Sequence, residues 1–280
     1  EKFNQRKLRF YNLSYRHKNI EKVSLNGIKS LIAFVVCFLP IFFGFILPFL
    51  VLLNLGYGNL DIWLNASLIL AIKNTLMVSG LAAFITVILA LLMVYGIRLS
   101  GKQLPTLILP LTTIGYAAPG AVLGIGILVP LAFLDNWLAD RVFNFTGYDP
   151  GLVFTGTAFA IILAYCVRFF SIAQHTVDGA LGRVSPSLPN AARSLGRNKL
   201  QVLWEIYRPL ISASTATALL LVFVDCVKEL PATMRLRPFN FETLATRVHV
   251  QASLEDLPNA APGAILIVLI GLCAVFLLAR

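Results

Sequence analysis

Residues 70–97 read LAIKNTLMVSGLAAFITVILALLMVYGI, and Lys73 is the only charged residue among them. A run of about 20 apolar residues is long enough to cross the hydrocarbon core of a bilayer as a helix. The rest of the chain has the same character: 58% of its 280 residues are hydrophobic, only 13% are charged, and the mean hydropathy is +0.81. A soluble domain carries about 25% charged residues. The composition therefore excludes an ordinary soluble enzyme and a disordered protein, and the long unalternating runs exclude an outer-membrane barrel.

Five further runs of this kind occur, and together the six predict an all-α integral membrane protein with six transmembrane helices. The predicted spans cover about residues 31–53, 70–97, 107–134, 152–174, 211–227 and 260–278. Residues 30–280 form the predicted six-span domain, and residues 1–29 form a basic segment in front of it. The first run is too long for a signal peptide, and no small-residue cleavage site follows it.

Lys and Arg are distributed unequally between the two sides of the predicted bundle. Sixteen of them fall in residues 1–29, in the second and fourth loops and at the C-terminus, and five fall in the other loops. By the positive-inside rule, both termini of this multi-pass chain are predicted to be cytoplasmic. The net charge of +10 then follows from topology, so no nucleic-acid partner is expected. Residues 1–29 are predicted to run along the surface of the membrane lipids.

The third predicted span contains proline and glycine residues that affect its packing. Pro119 removes a backbone donor, and Gly120 with Gly124 four residues later lets another helix approach closely. Tight helix packing and the lining of a solute pathway both fit this pattern. Pro119 and Gly120 are therefore pathway candidates.

Three charged residues, Asp225, Lys228 and Glu229, stand at the predicted outer end of the fifth span. A charge at membrane depth is costly and typically faces a cavity or a partner. Two interpretations stay open: a local ion-pair cluster, or an outer gate lined by Glu229. Pro231 is predicted to break the span beyond them, and a helix is predicted over residues 242–250.

Sequence motifs for catalysis are missing. The chain has no phosphate-cradling glycine loop, no H-E-x-x-H motif and no G-x-S-x-G motif. Its three histidines are far apart, and its four cysteines fit no zinc or disulfide framework. We therefore predict that the chain has no catalytic residue, binds no cofactor and acts as a conduit, not as an enzyme.

The fourth loop, about residues 185–209, contains a short apolar face. Its members are Leu188, Ala191, Ala192 and Leu195. Positions i, i+3, i+4 and i+7 share one side of a helix, so the pattern predicts a short amphipathic helix. A helix of this length is not stable alone, and we expect another surface to pack on it.

The ends of this helix have recognisable signals. Ser187 is predicted to cap its start, and Gly196 is predicted to close it in a left-handed turn. A second helix is predicted to start at Asn198 and to run into the fifth span, with a bend at Pro209.

The order Asn190-Ala191-Ala192, Gly196, Ile206 and Pro209, with three, nine and two residues between them, resembles the EAA loop of binding-protein-dependent ABC importer permeases. In that family the loop forms a coupling helix that docks into a groove of the cytoplasmic ATPase. Two positions depart from the family pattern: Asn190 replaces the usual Glu, and Arg208 replaces the usual Leu. The amide of Asn190 keeps its capacity to form hydrogen bonds. The docking residues that the resemblance implies are Asn190, Ala191, Ala192, Arg193, Leu195 and Gly196.

Other segments are similar to the iron(III) branch of these permeases. They read GYAAPGAVLG over residues 115–124, KELPAT over residues 228–233 and LRPFNFETLAT over residues 236–246. The resemblance covers about residues 66–280. Many members of that branch are fused duplicates with two six-span halves. With its first methionine at Met77 and a basic opening segment, the chain is expected to be the C-terminal half of such a permease.

The resemblance implies the type I ABC importer permease fold and a subunit of the bacterial inner membrane that moves iron(III) by alternating access. It also implies that the Glu229 carboxylate at the outer gate contacts the transported metal as a hard oxygen ligand. It implies three partners: a cytoplasmic ATPase dimer that binds the ATP, a periplasmic iron-binding protein, and a second permease half, fused or separate. Two alternatives stay open, namely half of an ion-coupled secondary transporter and an ABC permease for another solute, such as a phosphonate or a thiamine-like compound.

Overall fold

The computed structural model describes residues 25–58, 60–100 and 109–278, and within these ranges the chain forms helices and connecting turns but no β-strand. The helices are α1 (Ile28–Tyr57), α2 (Ala66–Ser100), α3 (Ile114–Ala117), α4 (Gly120–Thr146), α5 (Phe159–Arg183), α6 (Ser187–Ser194), α7 (Lys199–Val227), α8 (Pro231–Leu236), α9 (Leu244–Ser253) and α10 (Leu257–Leu278). Two 3₁₀ turns, Leu60–Leu64 and Leu109–Thr113, precede α2 and α3.

Six of these helices, α1, α2, α4, α5, α7 and α10, are long and apolar enough to cross a membrane. The predicted all-α fold with six transmembrane helices is therefore confirmed.

By its contacts the chain divides into two units, Glu1–Leu50 and Val51–Arg280. In the first unit, α1 passes from an α-helix containing Pro40 into a π-helical turn at Phe42–Ile46. The second unit contains the end of α1 and all later helices. Of the predicted basic segment 1–29, residues 1–24 lie outside the described residues.

The core of the second unit is formed by α2, α5 and α7. Its buried residues on these helices are Val78, Ala82, Ala83, Val87 and Ala90 of α2, Ala160, Ile161, Ala164, Tyr165, Phe169 and Ala173 of α5, and Ala218, Val222 and Cys226 of α7. Small side chains let membrane helices approach closely, so that many weak dispersion contacts add up. The alanines of this cluster therefore explain why the three helices pack against one another.

Side-chain contacts define the two ends of this bundle. At one end, the guanidinium of Arg98 near the end of α2 contacts a carboxylate oxygen of Asp178 near the end of α5 at 2.7 Å. We call this the α6 end, because α6 follows α5 here. At the other end, Arg247 of α9 donates to the hydroxyl of Ser67 at the start of α2 at 2.7 Å, and we call it the α9 end. Because α2 and α5 both run from the α9 end to the α6 end, they are parallel.

The third transmembrane helix starts at Gly120, and the predicted start near residue 107 was wrong. Ala118 and Pro119 have extended backbone, with ψ angles of 137° and 132°. A proline disfavours helical backbone at the residue before it and has no N–H to donate. Pro119 therefore separates the four-residue α3 from α4, whereas the sequence had placed it inside one span.

The fourth and fifth transmembrane helices also have other bounds than predicted. The fourth runs over residues 159–183 and not 152–174, because residues 153–155 are held in a loop by Asp135, as described below. The fifth begins at Lys199, as expected from the helix predicted to start at Asn198 and to run into this span, whereas the apolar run marked only residues 211–227. Its first turns extend beyond the apolar run, and the predicted span had been placed from that run alone.

Candidate functional site

The short helix α6 lies in the loop that the sequence singled out. Ser187 is its first residue, no side chain caps it, and the Ser187 hydroxyl pairs with the Ser185 hydroxyl at 2.8 Å, so the predicted Ser187 cap was wrong. The other end is as predicted: Gly196 adopts φ +85°, a left-handed conformation that favours glycine. There the N–H of Arg197 donates to the carbonyl of Ala192 at 3.1 Å and closes the helix.

The two sides of α6 differ in exposure. Pro189 and Ala192 are buried against the bundle. Leu188 is 48% exposed and Leu195 85% exposed, so two leucines of the predicted apolar face point away from the protein. The other predicted docking residues, Asn190, Ala191, Arg193 and Gly196, are exposed as well. Ala192 therefore anchors α6 to its own chain, and the remaining predicted docking residues form an open surface, which we call the α6 surface.

A capping box connects α6 to the fifth transmembrane helix. The Asn198 side chain accepts from the N–H of Gln201 and the Gln201 side chain accepts from the N–H of Asn198, each at 2.8 Å. The carbonyl of Lys199 also accepts from the Tyr95 hydroxyl of α2 at 2.5 Å. The start of α7, as predicted from Asn198, is thus fixed to the core.

A π-helical turn at Leu203–Tyr207 lies immediately before Pro209 in α7. The N–H of Arg208 reaches back to the carbonyl of Leu203, five residues earlier. Pro209 itself has no N–H. The wider turn accommodates the proline, and α7 passes from the α6 surface into the membrane without a break in helical structure.

A second site lies where α7 ends, and it joins Glu229 to Arg168 of α5. The Nε atom of Arg168 is 3.3 Å from Glu229 Oε2, and the two side chains are 19% and 7% exposed. Glu229 Oε1 accepts from the N–H of Ala232 in the first turn of α8 at 3.1 Å. A carboxylate at a helix N-terminus is stabilised by the exposed N–H groups there. Glu229 thus binds α8 at one oxygen and α5 at the other.

The glycines of α4 pack against this pair. A methyl group on Gly120 would lie 2.8 Å from Glu229 Oε1 and would also overlap the Arg168 guanidinium, and one on Gly124 would lie 3.2 Å from the Cβ of Arg235. The helix that approaches α4 so closely is α8, which the sequence did not predict. Pro119, just before Gly120, is exposed.

The three charges at the end of the fifth span separate into two pairs. Lys228 Nζ contacts Asp225 Oδ1 at 2.7 Å, whereas Glu229 turns to Arg168. Among the described residues, no group of three or more His, Cys, Asp and Glu side chains is placed to hold a metal ion. The role of Glu229 as a metal contact therefore stays a prediction, and its carboxylate has partners within the chain.

A polar cavity of about 740 Å³ opens at the α9 end. It is lined by Ser67, Leu70, Leu152, Thr155, Gly156, Met234, Arg237, Pro238, Phe239, Asn240 and Glu242. The two oxygens of Glu242 lie 3.8 Å from Nη1 of Arg237 and 3.8 Å from Nη1 of the buried Arg247. Two guanidinium groups and one carboxylate give this cluster a net positive charge, and Phe239 at the rim is fully exposed.

Sequence reasoning missed the residue that shapes one wall of this cavity. Asp135 of α4 is 1% exposed, and its carboxylate accepts from the N–H groups of Val153, Phe154 and Thr155 at 2.8–2.9 Å and from the Thr155 hydroxyl at 2.6 Å. The sequence had placed Asp135 in the loop after the third span. Its position inside an otherwise apolar run was the available signal, because a buried carboxylate needs donors.

We expect Asp135→Asn to lower the stability of the protein clearly. An amide accepts at only one oxygen, so at least one buried N–H loses its partner, and hydrogen bonds to a charged group are worth more than neutral ones. The loss should be about 3 kcal/mol, or roughly 5–10 °C in Tm, measured by thermal unfolding of the detergent-purified protein. Asp149→Asn is the matched control, because Asp149 is exposed and, within the described part of the chain, accepts one hydrogen bond, from the N–H of Gly151 at 2.9 Å. Equal Tm values for the two variants would contradict the anchoring role of Asp135.

Comparisons with known proteins agree on one family. The family described as "Binding-protein-dependent transport system inner membrane component" matches residues 86–279. The chain is 30% identical over 210 residues to the Fe(3+)-transport system permease protein FbpB 2 of Haemophilus influenzae, an alignment covering 75% of this chain and 38% of that protein. It is 28% identical over 154 residues to the putative 2-aminoethylphosphonate transport system permease protein PhnV of Salmonella typhimurium, covering 55% of this chain and 51% of that protein.

A solved structure has the same fold. It is a chain of a bacterial alginate ABC transporter in complex with an alginate pentasaccharide-bound periplasmic protein, with a TM-score of 0.62 and 17% identity, covering 88% of this chain and 92% of that chain. The chain spans less than two thirds of the length of the curated relatives it matches, 38% for FbpB 2 and 51% for PhnV.

Proposed function

The chain belongs to the family of binding-protein-dependent transport system inner membrane components and is a multi-pass inner-membrane transport subunit, and from this premise we propose that it carries iron(III) across the membrane by alternating access, driven by a separate cytoplasmic ATPase. The family match over residues 86–279 confirms the resemblance to binding-protein-dependent ABC importer permeases that the sequence motifs indicated.

The observation that carries this proposal is the α6 surface. Leu188 is exposed on the eight-residue α6, and Leu195 is exposed directly after the last residue of this helix. Exposed leucines on so short a helix favour a protein partner, because apolar side chains gain free energy by leaving water. The fourth loop, at the α6 end, carries the basic residues Arg183, Arg193, Arg197, Lys199 and Arg208. By the positive-inside rule, this supports a cytoplasmic position. A cytoplasmic ATPase dimer, which would bind the ATP, is the partner that this surface fits.

The path from the α6 surface to the membrane is continuous. Gly196 and the Asn198 capping box join α6 to α7, and α7 runs to Val227 next to the Arg168–Glu229 pair. A displacement of α6 by a closing ATPase would therefore be transmitted along α7 to the opposite end of the bundle. This is the physical requirement for a permease half that rocks between inward-open and outward-open states.

The opposite end supports a binding-protein partner. The polar cavity there is of the size of ligand and docking pockets and carries a net positive charge from Arg237 and Arg247 beside Glu242. A periplasmic binding protein would meet the permease on this side. A second permease half, fused or separate, would complete the pathway, since the matched ferric relatives are more than twice as long as the aligned region.

Two relatives suggest two substrates. The ferric-transport relative aligns over more of this chain, 75%, than the phosphonate-transport relative, 55%. We therefore propose iron(III) and keep 2-aminoethylphosphonate as the second candidate. The alternative of an ion-coupled secondary transporter lacks support from this family of binding-protein-dependent transport systems.

We expect ATP-dependent uptake of radiolabelled ferric iron when the full-length permease, its ATPase and its binding protein are reconstituted in proteoliposomes. Uptake should need hydrolysable ATP and should be insensitive to a protonophore. ATP-dependent uptake of 2-aminoethylphosphonate but not of iron would replace the substrate and keep the transport class. Uptake driven by an ion gradient without ATP would overturn the proposal.

A further inference from the structure

An apolar groove lies between α2 and α7 towards the α6 end of the bundle. Its volume is about 490 Å³, and it is lined by Ile88, Leu91, Leu92, Leu203, Trp204, Arg208, Ile211, Ser212 and Thr215. It does not contribute to the α6 surface, to the Arg168–Glu229 pair or to the polar cavity.

The walls of the groove offer no polar groups that converge on a solute. The Ser212 hydroxyl donates to the carbonyl of Pro209 at 3.0 Å, and the Thr215 hydroxyl donates to the carbonyl of Ile211 at 2.9 Å. Both donors are therefore used within α7. A polar solute would lose its hydration without replacement, so the groove fits a hydrocarbon chain.

The rim of the groove carries one cation and one aromatic ring. The guanidinium of Arg208 lies 5.0 Å from the centre of the Trp204 ring, and the Trp204 residue is 60% exposed. Trp is enriched at the level of the lipid headgroups, with its ring between apolar and polar surroundings. The rim therefore lies where the headgroup of a lipid would lie if the tail followed the groove.

The charge at the rim is free to bind an anion. In the described part of the chain Arg208 forms no ion pair, and the nearest acid on its own helix, Glu205, is bound to Arg197 at 3.0 Å. Arg183, at the end of α5, donates to Ser214 of α7 at 2.8 Å and adds a second positive charge at this level of the bundle. An anion with a hydrocarbon tail matches both parts of the site.

We propose that the groove is a binding site for an anionic phospholipid of the cytoplasmic leaflet. Its acyl chain lies along Ile88, Leu92 and Ile211, and its phosphate accepts hydrogen bonds from the guanidinium of Arg208. Basic pockets between membrane helices on the cytoplasmic side suit anionic headgroups, and burial of the tail against apolar side chains adds to the binding.

The position of the site on α7 gives the lipid a mechanical role, and this part rests on the proposed function. The groove borders the π-helical turn Leu203–Tyr207, where α7 leaves the α6 surface for the membrane. A tail packed against this turn stabilises α7 in one position relative to α2. Anionic lipid is therefore expected to change the rate of coupled ATP hydrolysis, whereas binding itself is independent of transport.

Native mass spectrometry of the full-length permease complex tests the binding. Phosphatidylglycerol should remain bound after detergent exchange more than phosphatidylcholine with the same tails, and Arg208→Gln should reduce the retained phosphatidylglycerol at least about fivefold. Arg141→Gln is the matched control, because Arg141 lies over Trp137 at 5.4 Å but borders neither of the two cavities described. Equal losses in the two variants would overturn the proposal.

A second measurement needs no substitution and so does not depend on how a variant folds. Phosphatidylglycerol with a photoreactive group in its tail should label peptides covering residues 88–92 and 203–215 of the unaltered complex. A groove covered by another polypeptide would give no such labelling, and the Leu92→Cys variant would then crosslink to that polypeptide in the assembled complex. Either of these results would overturn lipid as the occupant. If phosphatidylglycerol binds in the groove but the rate of ATP hydrolysis is the same in phosphatidylglycerol and phosphatidylcholine membranes, the mechanical role is refuted and the lipid-binding site is retained.

Discussion

Leu195→Asp will abolish coupled transport while leaving the protein folded in the membrane. Leu195 is 85% exposed on the α6 surface, so the substitution removes no packing within the chain. A leucine buried at the centre of an interface contributes about 2 kcal/mol or more, which corresponds to a roughly thirtyfold weaker complex, and a buried carboxylate without a partner adds to the loss. ATP-driven uptake in proteoliposomes should fall below about one tenth, and the ATPase should no longer copurify with the permease.

Leu254→Asp is the matched control for this experiment. Leu254 is 71% exposed and follows α9 at the other end of the bundle, so it receives the same new charge far from α6. Copurification of the ATPase should be unchanged in that variant. Equal loss of the ATPase in both variants, or normal uptake in Leu195→Asp, would refute α6 as the docking helix.

Arg168→Ala will strongly destabilise the protein, because it leaves the Glu229 carboxylate buried without its ion-pair partner. Removing one member of a buried pair costs about 3–5 kcal/mol, whereas replacing both members with apolar residues of similar volume is often neutral. The double variant Arg168→Met/Glu229→Met should therefore regain most of the stability lost in Arg168→Ala. The remaining loss is the hydrogen bond between Glu229 and the N–H of Ala232 at the start of α8. Thermal unfolding of the purified protein measures both.

Glu229→Gln keeps the shape of the side chain and provides the control. Its amide fills the same space, whereas Arg168→Ala also removes the large side chain beside Glu229 and leaves a cavity, so the Tm of Glu229→Gln should lie above that of Arg168→Ala. The uptake of ferric iron by this variant and by the double variant also tests the predicted metal contact of Glu229. Folded protein without uptake is the outcome that the contact predicts, and normal uptake would leave Glu229 a purely structural role. A double variant no more stable than Arg168→Ala would contradict the ion pair as the source of the stability.

Apolar runs were sufficient to predict the number of membrane helices, because the energetic requirement of the bilayer is local in sequence. They were insufficient for the helix ends. Pro119 interrupts the helix before α4 through its backbone, and Asn198 extends α7 beyond the apolar run through a capping box. Both effects are readable from residue type, but hydropathy does not register them.

The α6 helix was predictable for the same reason, since its spacing and its Gly196 terminator lie within ten residues. The division of its apolar face was not, because it depends on how Ala192 packs against the rest of the bundle. The Arg168–Glu229 pair was equally out of reach. An arginine inside a membrane span indicates that a partner is needed, but no local sequence pattern predicts that the partner lies after the end of another helix.

Asp135 also affects how the lining of the polar cavity at the α9 end can move. One part of the cavity lining is the loop at Leu152–Gly156, which is hydrogen-bonded to Asp135 of α4. Another part is α8, which packs on α4 at Gly120 and Gly124. Both parts of the lining are therefore attached to α4. If α4 tilts during the transport cycle, the loop and α8 should shift together and keep their spacing, whereas Ser67 and Leu70 belong to α2, so the cavity should change shape on the α2 side.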